Sequence, residues 1–217
     1  VGVRIHDVSH PLWRDELEII ISRAGQRVAY IGLPKPESAD DVLTQITALD
    51  ELRDRYGVAR EIPVHVMIET PSALHEIWKI ARLPHIEILN FGIMDFVAEH
   101  HGAIPAAAMR SPDQFSHLLI VRAKCEIVAA ALANGIVPSH NVTTEIRDVN
   151  VVRETFHSSL ELSERVLSAL GLSPEEAHDR RERFRAHDEK LLHDQHLIYD
   201  DEAALIASNK EALRELE

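Results

Sequence analysis

Five short apolar runs, separated by stretches with helical spacing, constrain this chain more than any other feature. The runs cover residues 1–5, 28–33, 64–68, 86–91 and 136–138. They are partly β-branched and nearly continuous in apolar character, as suits strands buried on both faces of a parallel sheet. The stretches between them carry helix punctuation. Residues 15–24 are amphipathic. Ser38 is a good N-cap for 38–56, with Asp40 and Asp41 in the first turn. Thr70 caps 71–82, with Pro71 at the first helical position. Residues 115–133 form a long Ala-rich helix that stops at Asn134-Gly135. Strand–helix repetition of this kind means βαβ units, either in a β/α barrel or in a doubly wound sheet.

The remainder has another pattern. Residues 151–170 have the spacing of one amphipathic helix ending at Gly171. Ser173-Pro174-Glu175-Glu176 is a strong helix start, and that helix is expected to reach about Gln195, with a third over 202–216. No strand pattern is present there. The expected division is 1–149 as a β/α segment and 150–217 as a helical module.

Composition narrows the function classes. With 217 residues and 45% hydrophobic, the chain can bury one sizeable core, and with only 5% aromatics that core must be Leu, Ile, Val and Ala. A formal net charge of −13 argues against nucleic acid or an acidic membrane surface as partner. It leaves room for an anionic substrate at one local cationic site. Cys125 is the single cysteine, so no internal disulfide can form and a reducing, cytoplasmic setting is expected. No apolar run has the length to span a bilayer. The chain opens at Val1 as if a strand were already under way, so preceding residues are expected.

In parallel α/β folds the reactive groups sit at the carboxyl ends of strands. Those ends carry Arg4, His6 and Asp7, then Lys35, Glu69, Asp95, and finally His140 with Asn141. Glu69 closes one apolar run and Asp95 the next along the chain. On neighbouring strands, about 5 Å apart, the two carboxylates could share one hard cation. Mg²⁺ suits such a pair, with water and substrate oxygens completing its shell. Arg4 offers a fixed fork of donors for a carboxylate or an enolate oxygen. Lys35 lies between two prolines in a rigid loop and is set aside as an imine-forming lysine. The histidines, His100-His101, His187 and His193 among them, lack zinc spacing and are taken as surface residues.

The motifs Arg4-Ile-His-Asp, Leu33-Pro-Lys-Pro-Glu-Ser-Ala, Met67-Ile-Glu-Thr-Pro and Phe91-Gly-Ile-Met-Asp resemble the citrate lyase β-subunit and malyl-CoA lyase-like (HpcH/HpaI aldolase) family. Motif order agrees, and so does the interval of 26 residues from Glu69 to Asp95 (95 − 69). Over 1–149 the resemblance implies a partial (β/α) TIM-type barrel with Mg²⁺ on Glu69 and Asp95. It also implies an oxo-acid or CoA-thioester substrate at Arg4, flanked by His6, His140 and Asn141, and a homo-oligomer of three or more subunits. Its usual Asn two residues after the Arg is His6 here. The family's first two strands and a late Gly-Lys and Ile-His-Pro motif have no counterpart, so five strands are expected rather than eight. The tail differs: Val152-Arg-Glu-Thr-Phe-His-Ser-Ser-Leu-Glu-Leu162 and Arg183-Phe-Arg-Ala-His-Asp-Glu-Lys190 resemble the cytoplasmic end of Kef-type potassium efflux antiporters. The expected activity is reversible, Mg²⁺-dependent cleavage of a 3-hydroxyacyl-CoA thioester into an acyl-CoA and an oxo acid. The alternatives are a regulatory or assembly module without catalysis, and a related aldolase acting on free oxo acids.

Overall fold

The computed structural model describes residues 1–143 and 148–171. The chain divides into Val1–Gly171 and Leu172–Glu217. The second unit, with the helices expected from Ser173 onward and with His187 and His193, lies outside the described residues.

Five parallel strands form one sheet in the order β1 (Val3–Arg4), β2 (Ile31–Leu33), β3 (Val64–Ile68), β4 (Ile86–Phe91), β5 (Val137–Ser139). Each strand pairs with the next in sequence, with Arg4 beside Gly32, Leu33 beside Val66, Ile68 beside Phe91 and Asn90 beside Ser139. That order decides between the two candidate folds. A doubly wound sheet reverses strand order at a switch point, and this sheet never reverses. The helices follow suit: α1 (Trp13–Ala24) packs on α2 (Ala39–Arg55), α2 on α3 (Pro71–Ile80), α3 on α5 (Leu118–Ala133) and α5 on α6 (Val149–Ala169). The architecture is a partial (β/α) barrel with α6 added to its helical layer.

The expected caps form. Ser38 Oγ accepts the Asp41 N–H at 3.2 Å while Asp41 Oδ2 accepts the Ser38 N–H at 2.9 Å, a reciprocal box that starts α2. Thr70 Oγ1 accepts the Ala73 N–H at 3.0 Å and starts α3 behind Pro71. The core is aliphatic, as the scarcity of aromatics requires. Leu17, Ile21, Ile46, Leu49, Ile77 and Ile80 from the helices are buried with Ile31, Val64, Val66 and Leu89 from the sheet. On α6, Val166, Leu167 and Thr155 are buried, whereas Phe156, Leu160 and the C-cap residue Leu170 are exposed.

Two elements differ from expectation. Residues 115–117 precede α5, and Phe115 closes a short 3₁₀ turn, Asp113–Phe115. Asp95 does not close a strand. β4 ends at Phe91, and Gly92 leads into a separate helix, α4 (Ile93–Ala98), with Asp95 in its first turn. The apolar residues Ile93, Phe96 and Val97 are buried at helical spacing, and an acid suits the positive end of a helix dipole.

The amino ends of the strands are tied by matched charges. Arg60 donates to Val28 O at 2.6 Å and Gly25 O at 3.2 Å. Arg53 donates to Arg60 O at 2.9 Å and pairs with Asp50 at 2.7 Å. His85 lies between Glu61 at 2.6 Å and Asp50 at 3.1 Å.

Candidate metal and substrate cleft

The carboxyl ends of β1 to β4 open into a cleft of about 440 Å³. Arg4, His6, Asp7, Lys35, Glu69 and Asp95 line it, together with Ile5, Pro34 and Glu16. Four of the six residues expected at the site therefore meet in one place: Arg4, His6, Glu69 and Asp95.

Glu69 is the unusual member, a carboxylate only 3% exposed. It is set between the last residue of β3 and the α3 cap Thr70, whose hydroxyl donates to Pro36 O at 3.0 Å. Its Oε1 accepts the Lys35 N–H at 2.9 Å. Lys35 holds a left-handed backbone, φ 43°, to point that N–H inward. Gly92 makes room for the carboxylate: a Cβ there would collide with Glu69 Oε2 and stand 2.5 Å from Glu69 Cβ. Burial pushes the Glu69 carboxyl up; the Lys35 N–H opposes that rise and the Asp95 charge adds to it. Asp95, half-buried, receives Lys35 Nζ at 2.7 Å, and this contact raises the lysine.

These residues fit a hard divalent cation. Among the described residues no group of three or more His, Cys, Asp or Glu is gathered to hold a metal. Two carboxylates, however, is a count that Mg²⁺ accepts, since it keeps several waters. A carboxylate raised by its burial, and further by a second carboxylate, is the electrostatic condition that a cation relieves. Lys35 Nζ already occupies the cationic role at Asp95.

His140 and Asn141 are not among the residues lining this cleft. They belong to a buried polar hub beyond β5, centred on Lys124 of α5. Lys124 Nζ donates to Gln114 Oε1 at 2.8 Å and Asn141 Oδ1 at 2.8 Å, and meets His140 Nε2 at 2.7 Å. It also lies over the Phe115 ring at 4.4 Å. His140 Nδ1 bonds Asn141 O at 2.7 Å, which leaves Nε2 as the acceptor. Burial brings Lys124 down to about 7, and burial with the lysine's charge brings His140 down to about 4.

Sequence reasoning passed over Glu16, Lys124 and Gln114. Glu16 has the ordinary look of a first-turn acid. Lys124, in an Ala-rich helix, looks like a solvated lysine.

A family model described as HpcH/HpaI aldolase/citrate lyase matches residues 1–162, about three quarters of the chain. The chain belongs to the HpcH/HpaI aldolase/citrate lyase family. Residues 158–217 match the potassium efflux system KefB C-terminal domain. Within the aldolase/citrate lyase family, the solved structure of a citrate lyase from Burkholderia xenovorans LB400 is 48% identical, with a TM-score of 0.70 over 71% of this chain and 48% of that one. The citrate lyase β subunit of M. tuberculosis, solved with oxaloacetate and magnesium, shares the fold at 23% identity and a TM-score of 0.54, covering 78% of this chain and 64% of that one. An L-malyl-CoA/β-methylmalyl-CoA lyase of Cereibacter sphaeroides (strain ATCC 17025 / ATH 2.4.3) is 25% identical over 99 residues, 45% of this chain and 31% of that protein. The chain thus spans about a third of that curated relative and about half of the Burkholderia structure. No helix among the described residues is long and apolar enough to cross a membrane.

Proposed function

We propose that this chain carries the metal and substrate cleft of a Mg²⁺-dependent carbon–carbon lyase, which splits a 3-hydroxyacyl-CoA thioester into an acyl-CoA and an oxo acid. The observation that carries the reading is the buried Glu69 carboxylate, raised by its burial and by Asp95, facing a cleft that Arg4 and Lys35 also line. The magnesium-bound relative of the same fold supports it.

Glu69 and Asp95 would hold Mg²⁺, which when bound polarises the oxo-acid oxygens as a Lewis acid and orients them. Arg4 presents its guanidinium fork to the thioester carbonyl, where negative charge grows as the carbon–carbon bond breaks. Lys35, bonded to Asp95 at 2.7 Å, supplies a second positive charge beside a substrate carboxylate. His6 lines the same wall as Arg4, two residues further along. His140 and Asn141, which lie outside the cleft lining in the Lys124 hub, would meet only a part of the substrate that reaches past the cleft toward β5. A homo-oligomer of three or more copies in the cytoplasm completes this reading.

A free oxo-acid aldolase is the second reading. It is favoured by one observation: among the described residues the cleft's cations are Arg4 and Lys35, without a basic cluster for the CoA phosphates. Calorimetry with Mg²⁺ tests the shared core of both. One site is expected in the wild type, and Glu69→Gln or Asp95→Asn should abolish it. Equal heats in all three proteins would remove the metal. Malyl-CoA, citramalyl-CoA and free 4-hydroxy-2-oxo acids, assayed side by side, then separate the two substrate classes.

A further inference from the structure

The cleft lining carries a second arrangement. His6 Nδ1 meets Glu16 Oε1 at 2.6 Å, and the His6 backbone N–H donates to Glu16 Oε2 at 3.1 Å. One carboxylate of α1 thus grips the same residue by ring and by backbone. On the other side, the buried Gln45 of α2 donates its amide to His6 O at 3.0 Å. The ring is stacked on His10 with centroids 3.8 Å apart. Asp7, next in the chain, is occupied in its own turn with Ser9. His6 is therefore an exposed loop residue pinned at four points by three separate segments. Structure of that kind is spent on fixing a ring in one orientation.

The orientation is chemically specific. With Nδ1 bonded to a carboxylate, the proton sits on Nδ1 and the lone pair on Nε2, and the carboxylate stabilises the imidazolium that forms when Nε2 takes a proton. Glu16 is suited to this: its carboxyl is held below the usual range, first by the His6 N–H. Arg4 and His6, two residues apart, both line the cleft, while Ile5 between them is buried.

We propose that His6, oriented by Glu16, is the proton-transfer group of this cleft. The proposal rests on the lyase reading above. In the cleavage direction, His6 Nε2 takes the proton of the substrate's 3-hydroxyl. The oxygen's electron pair forms the oxo-acid carbonyl, the carbon–carbon bond breaks, and its pair moves onto the thioester as an enolate beside Arg4. The imidazolium then returns the proton to the enolate carbon, giving the acyl-CoA and leaving His6 neutral. Glu16 acts through His6 and is a positioning residue.

The test uses the full chain and the enolisation half of this sequence, which needs no carbon–carbon chemistry. Acetyl-CoA and, in a separate arm, pyruvate are incubated with the protein and Mg²⁺ in D₂O, and methyl deuteration is followed by NMR. Metal affinity is measured in parallel by calorimetry. Mg²⁺-dependent exchange is expected with one of the two probes. His6→Gln should lower it about 100-fold with Mg²⁺ affinity unchanged. Glu16→Gln should lower it less, and should reduce the share of the Nδ1-protonated tautomer of His6 in long-range ¹H–¹⁵N spectra. Undiminished exchange in His6→Gln overturns the proposal, and so does wild-type protein that binds Mg²⁺ but exchanges nothing; both leave the metal reading standing. Absence of Mg²⁺ binding overturns the metal reading and the proposal with it.

Discussion

The two ends of the same strands handle charge in opposite ways. At the amino ends, Arg60, Arg53, Asp50, Glu61 and His85 form a closed set in which cations meet carboxylates or backbone carbonyls within 3.2 Å. At the carboxyl ends, Glu69 is buried with another carboxylate nearby and is raised for it. Lys124 is buried against Gln114, His140 and Asn141, none of which is a carboxylate, and is lowered for it. One end uses electrostatics to hold the sheet together; the other keeps Glu69 and Lys124 in surroundings that do not favour their charges. Groups kept in that condition mark sites that work on something, and in β/α barrels it is the carboxyl end that does so.

The contrast can be broken from the stabilising side first. Arg60→Ala should cost about 2–3 kcal/mol of stability, because buried carbonyls of Gly25 and Val28 lose a charged donor. Mg²⁺ affinity should stay as in the wild type. Denaturant melts with calorimetry on the same samples check it, and a large loss of metal affinity at unchanged stability would erase the division between the ends.

A smaller effect is expected from the carboxyl end. Gly92→Ala puts a methyl group against Glu69, which must rotate or shift. Metal affinity should fall roughly tenfold, about 1.4 kcal/mol, with a stability change smaller than that of Arg60→Ala. Unchanged affinity would show that Glu69 does not need its present position.

The last effect is read as a slope with pH and concerns Lys124. In the folded chain it gives up its proton near pH 7, whereas unfolded lysine holds it to about 10.4. Between those values the unfolded state binds more protons, so stability from this group rises with pH, by at most about 1.4 kcal/mol per unit. Lys124→Met should flatten that slope from pH 7 to 9.5, even though it lowers stability overall. Parallel slopes in the two proteins would mean that the buried ammonium stays charged.

The same contrast explains what was legible in the sequence. The strands were, because burial on both faces leaves a continuous apolar signature. Glu69 was legible as the first polar residue after such a run. Asp95 reaches the cleft by a route other than a strand end: it belongs to α4, whose short apolar stripe follows β4 with only Gly92 between them. Ser38 and Thr70 announced their helices because capping is local chemistry. Glu16 and Lys124 could not be found that way. The partner of Glu16 is ten residues upstream, across the turn at Asp7–Ser9. Lys124 is buried where β5 brings His140 and Asn141 back onto α5 and Gln114 and Phe115 pack against it. Contacts of that range leave no pattern within one helix.

If Glu69 is kept buried for the sake of a cation, a thermal experiment with and without Mg²⁺ shows it. A carboxyl raised by burial costs stability above its usual range, and the cost is greatest once it is fully ionised. Without Mg²⁺ at pH 7.5, Glu69→Gln should therefore melt a few degrees above the wild type, since the amide can still accept the Lys35 N–H. Saturating Mg²⁺ should raise the wild type and leave Glu69→Gln where it was, so that the order of the two melting temperatures reverses. A Glu69→Gln protein that melts below the wild type without Mg²⁺, or that gains as much from Mg²⁺ as the wild type does, would contradict the account.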